Sequence, residues 1–566
     1  MRVIAALILA LISINTLMAQ GSYVPLGSYS MHIIDRFEIK QGRLATPNEF
    51  NTNNKAYQRL KIANYADGYD SLNSNLSKQD KFNLTYLQND NFEYSKTSTS
   101  LSTRKAGKTN LYKYKAGMFS VHIPDFDLIV NPIVYMRGEY DTKRNDRLPY
   151  FVNRGFSIRG RIGNNFSFLT ETAEEIQSLN GWNLEYFKEH DVLAGQNFIY
   201  TNTYKPNDKY LYSYWNTSGY VAYQAGKYVD MQFGQGRNFI GNGYRSLMRS
   251  DFATNSLFLR INTHIWKVNY TNIYGSMYDY TPFYTRQSII KKHFYATTYA
   301  NVNVTSKLNI GLFETTVFQR DSGYEIKGYD PQYLNPVIFY NAIDNTRNSP
   351  DKNILGIDFK YNFAKKYSAY GQFVLSEMNI HKRLTQKDWW GNKEAYQLGI
   401  KCIDVFKVNN LDLQLEYNQA RPYSYTSFDS RNAYVNYNQS MAHPLGANFR
   451  EVLAIVRYQP TEKLFINSTF IFSTYGNDTN GSNWGKDISL SYNSRVREYG
   501  NFIGQGVKTN LLIFTTSASY MLKHNLFADL QLSYRNQTSA LSQFKSEMFN
   551  IGIALRWNMN MRECNF

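Results

Sequence analysis

A chain of 566 residues with 62 Lys+Arg against 45 Asp+Glu carries a formal net charge of +17. Beyond its N-terminus it has no run of about eighteen apolar residues, which excludes helical membrane spans. Its 2 cysteines make no disulfide framework, and no metal-ligand spacing or cofactor motif is present.

The first residues, MRVIAALILALISINTLMAQ, place Arg2 before an apolar stretch from Val3 to Ile14 and small Ala19 before a cut. This is the form of a secretory signal over residues 1–19, too short for an anchor. Residues 20–115 are expected to make a small periplasmic segment. In it Gly21–Arg43 looks like an irregular lead-in, and Tyr57, Leu60 and Ala63 recur at helical spacing. Ser77 with Asp80 predicts a helix cap before Phe82–Leu87, and Asn91–Asn110, rich in Ser, Thr and Lys, reads as a linker.

From 116 to 566 the chain reads as a meander of strands. Its clearest unit is Asn353–Met378. There Leu355, Ile357, Phe359, Tyr361 and Phe363 share one face, with Gly356, Asp358, Lys360 and Asn362 on the other. After a turn at Ala364–Lys366, Ala369, Gly371, Phe373 and Leu375 repeat the alternation. Cys402 falls on an apolar strand face beside Leu398 and Ile400. Short turns are expected at Gly163–Asn165, Ala225–Lys227, Thr263–Ile265, Thr305–Lys307, Ala364–Lys366, Val405–Asn410, Gln459–Lys463 and Leu522–Asn525. Long polar connections fall near 141–155, 172–217, 235–256, 275–293, 317–353, 377–395, 419–450, 475–509 and 535–547. Eight turns and nine loops imply an all-β fold, an antiparallel outer-membrane β-barrel of about 18 strands with both termini on the short-turn, periplasmic side. Terminal Phe566 matches the aromatic end of many such barrels, although it is out of phase with the Ile551–Trp557 face.

On an exported chain the positive charge favours lipopolysaccharide phosphates or an acidic polysaccharide over nucleic acid as partners; for the charge alone, loop solubility is the preferred reading. Inward positions carry both signs: Arg137, Glu139, Arg159, Arg161, Arg260, Asp358, Lys360, Asp412, Glu416 and Arg556. They form either a charged conduit or an ion-pair network in a plugged lumen. Gly234, Gly236, Gly241 and Gly243 have neither the spacing nor the Lys-Ser/Thr of a phosphate loop, and are read as permitting a sharp bend. Arg237, Arg245 and Arg249 nearby could clamp uronate or phosphate groups, or be solvated loop charge. Trp389, Trp390, Tyr423, Tyr425, Tyr434, Tyr437 and Trp484, with Arg421 near, offer flat faces on which pyranose rings stack. The competing reading, favoured for Trp389 and Trp390, is an interfacial girdle. Glu174 and Glu175 read as part of a capped helical stretch behind Thr172, and His264, His293 and His443 have no evident serine partner, so an enzyme is not expected.

Phe233–Tyr270, with YLNPVIFY at Tyr333–Tyr340, LEYNQARPYSY at Leu415–Tyr425 and NYNQSMAHPLGANFREV at Asn436–Val452, resembles the Wzi-type capsule-assembly family in its Bacteroidota branch, which includes gliding motility RemB-like proteins. LSKQDKFNLTYLQNDNFEY near the N-terminus is similar too. The resemblance implies an eighteen-stranded outer-membrane barrel with a periplasmic helical part, acting as a surface lectin that holds capsular polysaccharide or supports gliding adhesion. The alternative is a porin-like channel, or an accessory component of a secretion or motility apparatus.

Overall fold

Alternation of apolar and polar residues closes the chain into one sheet. The computed structural model describes residues 21–566, apart from 47–48, 56, 73–75, 102–110, 145, 197–200, 203–209, 280–290, 320–327, 344–350, 378–379, 480 and 563–564. The signal stretch, part of the linker and Cys564 therefore lie outside the described residues. The wall runs in chain order as β1 (Phe126–Asp141), β2 (Tyr150–Ile162), β3 (Phe166–Ser178), β4 (Leu211–Ala225), β5 (Val229–Gly236) and β6 (Ser256–Ile265). It continues as β7 (Val268–Tyr278), β8 (Lys292–Asn303), β9 (Leu308–Phe318), β10 (Lys352–Phe363), β11 (Tyr367–Glu377) and β12 (Lys393–Cys402). The last six are β13 (Leu411–Ala420), β14 (Phe449–Thr461), β15 (Leu464–Asn477), β16 (Val507–Lys523), β17 (Leu526–Ser539) and β18 (Ser546–Trp557). Every neighbouring pair is antiparallel, and β1 closes on β18 from Val134↔Trp557 to Asp141↔Asn550. The lower part of that edge of β1, Phe126–Val130, pairs instead with a short strand at Phe119–Ile123. Pro132, which has no N–H to donate, sits where the ladder changes partner.

Eight short turns and nine long connections alternate around the eighteen strands. Their order matches the expected one and most bounds agree to within a few residues, but β2 begins at Tyr150, β3 runs on to Ser178 and β4 starts at Leu211, so the first two long connections are shorter than expected. Leu355, Ile357, Phe359, Tyr361 and Phe363 point out of the barrel, while Asp358, Lys360 and Asn362 are buried inside it. Ile357, Leu398, Leu415, Val452, Phe472 and Ile553 are among the outward side chains left exposed, a belt that only hydrocarbon satisfies.

Two expectations fail here. Glu174 and Glu175 are not helical: β3 runs through them, with Glu174 opposite Arg154 and Glu175 opposite Asn153. The cap-like sequence is overridden by ladder pairing and by the Arg154–Glu174 ion pair at 2.7 Å. Gly21–Arg43 is not irregular throughout, for it contains helix α1 (Tyr29–Gln41), closed by Gly42 at φ 68°. α1 is buried on nearly every side, apolar Ile33, Ile34 and Phe37 alternating with buried Asp35, Arg36 and Glu38, so no amphipathic stripe announces it. The second helical pattern begins later than its sequence signal, as α2 (Arg59–Leu72). The Ser77 cap forms as expected, its side chain accepting from the Asp80 N–H at 3.0 Å to open α3 (Lys78–Asp90).

These helices fill the turn end of the barrel, and charge of one sign on the helices meets the opposite sign on the wall. Asp35 of α1 lies 2.5 Å from Lys401 and 3.9 Å from Lys360. Glu38 also pairs with Lys360. Arg36 reaches Asp80 of α3 at 2.9 Å, Asp404 at 2.5 Å and Asp412 of the wall. Burial alone would raise the Asp80 carboxyl, but Arg36 and Lys40 beside it outweigh that and hold it down to about 2. Because this carboxyl is depressed on folding, its contribution is complete above the ordinary aspartate range and drains away as pH falls toward 2. The helices should therefore stay docked at neutral pH and loosen between about pH 4 and 2, seen as rising amide exchange over Tyr29–Asp90 before the strands exchange. Arg36→Ala removes the cation shared by buried Asp80 and Asp412 and half-buried Asp404, leaving Lys40 to serve Asp80 and Asp404 alone. It should weaken docking by about 3–5 kcal/mol, exposing α1–α3 to protease while the strands remain protected.

Candidate functional site

The inward wall charges are a paired network. Arg161 meets Asp127 at 2.6 Å, Arg159 meets Glu93 at 3.0 Å, Arg556 meets Asp529 at 2.7 Å and Arg137 meets Glu139 at 3.5 Å. Asp358 accepts from the Tyr299 hydroxyl at 3.0 Å, and Arg260 donates to Asn238 at 2.8 Å. A cavity of about 920 Å³ remains inside the barrel between the helices, strands β1–β6 and β12–β18 and the C-terminal residues, lined among others by Arg159, Arg237, Arg260, Asp412, Arg457 and Arg562.

From the outer side, two connections fold inward. Residues 237–255 cross the lumen after a bend at Gly241, whose φ of 139° no other residue adopts without strain and whose missing Cβ leaves room for Gln372. The main-chain N–H of Leu247 donates to Gln372 at 2.8 Å, and those of Tyr244 and Arg245 donate to Glu416 at 2.7 and 3.1 Å. The same connection meets the N-terminal segment, since the Gly241 N–H donates to Asn53 and the Lys55 N–H to Phe239. Plug and loop thus touch in the middle of the barrel.

Arg237, Arg245 and Arg249 are brought close in this connection, but each is turned inward. Arg237 donates to the Asp251 carbonyl at 3.2 Å and to that of Gly195, while Arg245 pairs with Glu451 at 3.2 Å. Arg249 is wholly buried with its guanidinium 4.2 Å from the Tyr295 ring. Residues 421–448 lie over it. Tyr425 donates to the Leu247 carbonyl at 2.8 Å and Tyr434 to that of Met248 at 3.0 Å, and both are fully buried. Tyr423, also buried, donates to the Asn483 carbonyl at 2.8 Å, and Tyr437 stacks on Tyr278 at 5.1 Å. Trp389 and Trp390 are neither girdle nor open platform, for both are buried in a cluster with Tyr423 and Tyr492. Arg421 is half-buried and donates to the Asn392 carbonyl at 2.9 Å. The rings that the sequence offers for stacking are spent on holding the outer connections together. Burial in a loop that folds back into a barrel leaves no periodic mark in the sequence. His443 and His293 are buried as well, beside Glu451 at 2.9 Å and Asp279 at 2.9 Å.

Other rings reach the surface. Phe428 and Phe502 are each 58% exposed and Tyr499 46%. Phe428 lies 6.2 Å from Tyr492, which packs on Trp390, and the Arg495 guanidinium lies 4.3 Å above Trp390. Arg497 lies 5.4 Å from Trp484 and 5.6 Å from Phe502. Aromatic faces beside guanidinium groups are the chemistry of sugar and carboxylate contact. Residues 428 and 492–502 carried no alternation or repeat that singled them out; exposed aromatics amid Arg in a long connection were the available signal.

An eighteen-stranded closed wall, an apolar outward belt and a plug of helices are shared with known outer-membrane barrels. The Escherichia coli outer-membrane protein Wzi, described as a carbohydrate-binding β-barrel involved in group 1 capsule assembly, superimposes with a TM-score of 0.55. It has 11% identity and covers 95% of this chain and 100% of its own. This protein is an outer-membrane β-barrel. OprD of Pseudomonas aeruginosa aligns with a TM-score of 0.40 and 9% identity over 76% of this chain and 94% of its own. OccAB2 of Acinetobacter baumannii gives 0.41 and 10% over 76% and 98%. No family model and no curated protein matches the sequence.

The hydroxyls of Tyr425 and Tyr434 tie two outer connections to each other. The double change Tyr425→Phe, Tyr434→Phe should cost about 1–3 kcal/mol per vacated carbonyl and raise amide exchange in 240–250 and 421–448, with exchange in the strands unchanged.

Proposed function

We propose that this barrel is a non-catalytic anchor that holds surface polysaccharide at its outer face, for capsule retention or cell-surface adhesion. One observation carries the reading. The lumen is occupied from both ends by segments stitched to the wall, so that what the molecule presents outward is the upper surface of its connections. On that surface Phe428, Tyr499 and Phe502 stand exposed, with the Arg497 guanidinium 5.6 Å from Phe502 and Arg495, paired with Glu498, over neighbouring Trp390. Pyranose rings lie on such faces through their C–H sides, and guanidinium groups pair with uronate or phosphate substituents, which suits an acidic glycan. The likeness to a carbohydrate-binding barrel supports the same reading at the level of fold. Arg421, Tyr423, Tyr425, Tyr434, Tyr437, Trp389 and Trp390 act beneath that surface as its support, and Arg237, Arg245 and Arg249 deeper still.

The triple change of Phe428, Tyr499 and Phe502 to Ala should weaken retention of purified acidic capsule about tenfold, equivalent to about 1.4 kcal/mol, with the heat-modifiable barrel intact on gels. Unchanged retention would remove these rings from the site. The channel reading is tested in planar bilayers, where the intact protein should be silent and Arg36→Ala should show transient conductance as the plug loosens. A large, stable ohmic pore from the intact chain would defeat the anchor account.

A further inference from the structure

The connection between β9 and β10 does not stand above the barrel. Sequence alternation puts residues 317–353 in an outer loop, yet Asp330–Ile343 lies against the outside of the wall. The register makes this plain. Leu312, opposite Ile357, faces outward and is exposed, and Glu314, opposite Leu355, shares that face. Asn272 and Thr298 pair with each other at 3.0 Å on the same face of β7 and β8. All three polar side chains are buried although they occupy positions in the lipid-facing belt.

What covers them is the run Pro331–Ile343, PQYLNPVIFYNAI, which has no charged residue. Tyr333 stacks on Phe318 with ring centroids 3.7 Å apart. Tyr274 donates to the Leu334 carbonyl at 3.1 Å, and Asn272 and Tyr270 donate to the Pro336 carbonyl. Glu314 accepts from the N–H groups of Phe339 and Ala342, the latter at 2.9 Å, where helix α4 (Tyr340–Ile343) begins. Phe339 is held there at φ 66°, a strained value for a residue with a side chain. The segment descends as it goes. Phe318 ends β9 at the outer rim, whereas Tyr270 is four residues from exposed Trp266 in the turn at the opposite rim.

We propose that Asp330–Ile343 is a re-entrant strap embedded in the outer membrane, with Leu334, Val337, Tyr340 and Ile343 resting against lipid acyl chains. Its inner face satisfies the polar groups of wall and backbone, as non-helical backbone at membrane depth requires. Its outer face is exposed, apolar and continuous with the belt of Leu312 and Ile357 beside it. Glu314 is the clamp, a carboxylate kept in the wall because the strap's N–H groups sit on it.

The test uses the full chain in vesicles of phosphatidylcholine and lipopolysaccharide, with Cys402→Ser and Cys564→Ser as background. Val337→Cys and Ile343→Cys should react with a membrane-impermeant maleimide roughly tenfold or more slowly than Phe428→Cys. Nitroxides at both sites should be relaxed by oxygen in preference to a water-soluble nickel chelate, as at Ile357→Cys in the belt. Labelling as fast as at Phe428→Cys, or nickel access, would put the strap in water and overturn the proposal. Protection from both relaxants with spin–spin broadening would instead mean that a second copy covers it, which also defeats the lipid assignment. Adding Glu314→Ala should bring labelling of Val337→Cys up toward the Phe428→Cys rate; no change would remove Glu314 as the clamp.

Discussion

A wall of eighteen strands encloses more space than its own side chains can fill, and half of those side chains are polar. Buried charges on the inner face therefore need partners: some are paired within the wall, as Arg161 with Asp127 and Arg556 with Asp529, and others by segments outside it. The trio Asp80, Asp404 and Asp412 around Arg36 is the clearest case. Removing either sign leaves the other stranded in a low-dielectric interior, which is why plug and wall are coupled more firmly than their apolar contact alone would suggest.

That constraint also organises the outer half. There the filling is apolar, with Ile240, Leu247, Met248, Tyr295, Phe313, Tyr425, Tyr434 and Phe449 forming a core inside the barrel. Glu416 and Gln372 on the wall take the polar groups of the inserted backbone, so the connection from 237 to 255 can lie buried without unsatisfied main chain where it crosses them. A rigid support under the outer surface follows, and a preorganised surface loses less freedom on binding a flexible polymer.

The connection between β9 and β10 applies the same logic outside the barrel. Polar groups at lipid-facing positions are matched by a segment of the same chain, and its uncharged face restores the belt. Lumen and lateral wall are thus completed by loops, and the inward connection 237–255 and the outward Asp330–Ile343 are each pinned on a wall carboxylate: Glu416 within, Glu314 without.

Strand alternation, turn spacing and the Ser77 cap were determined locally, by side-chain periodicity and short hydrogen-bonded motifs, and so the barrel, its strand number and the alternation of short turns with long connections were legible in the sequence. The inward charges were legible as well, because period-two patterning assigns them a face. What tertiary structure alone decided was where each connection goes. Tyr423, Tyr425 and Tyr434 have the composition of a sugar platform but are buried, and Phe428, Tyr499 and Phe502 are left at the surface. α1 stayed unseen because its polar residues meet wall charges more than three hundred positions away in the chain. Loops carry no period, so the partners of their residues are set by long-range packing that only the folded barrel brings together.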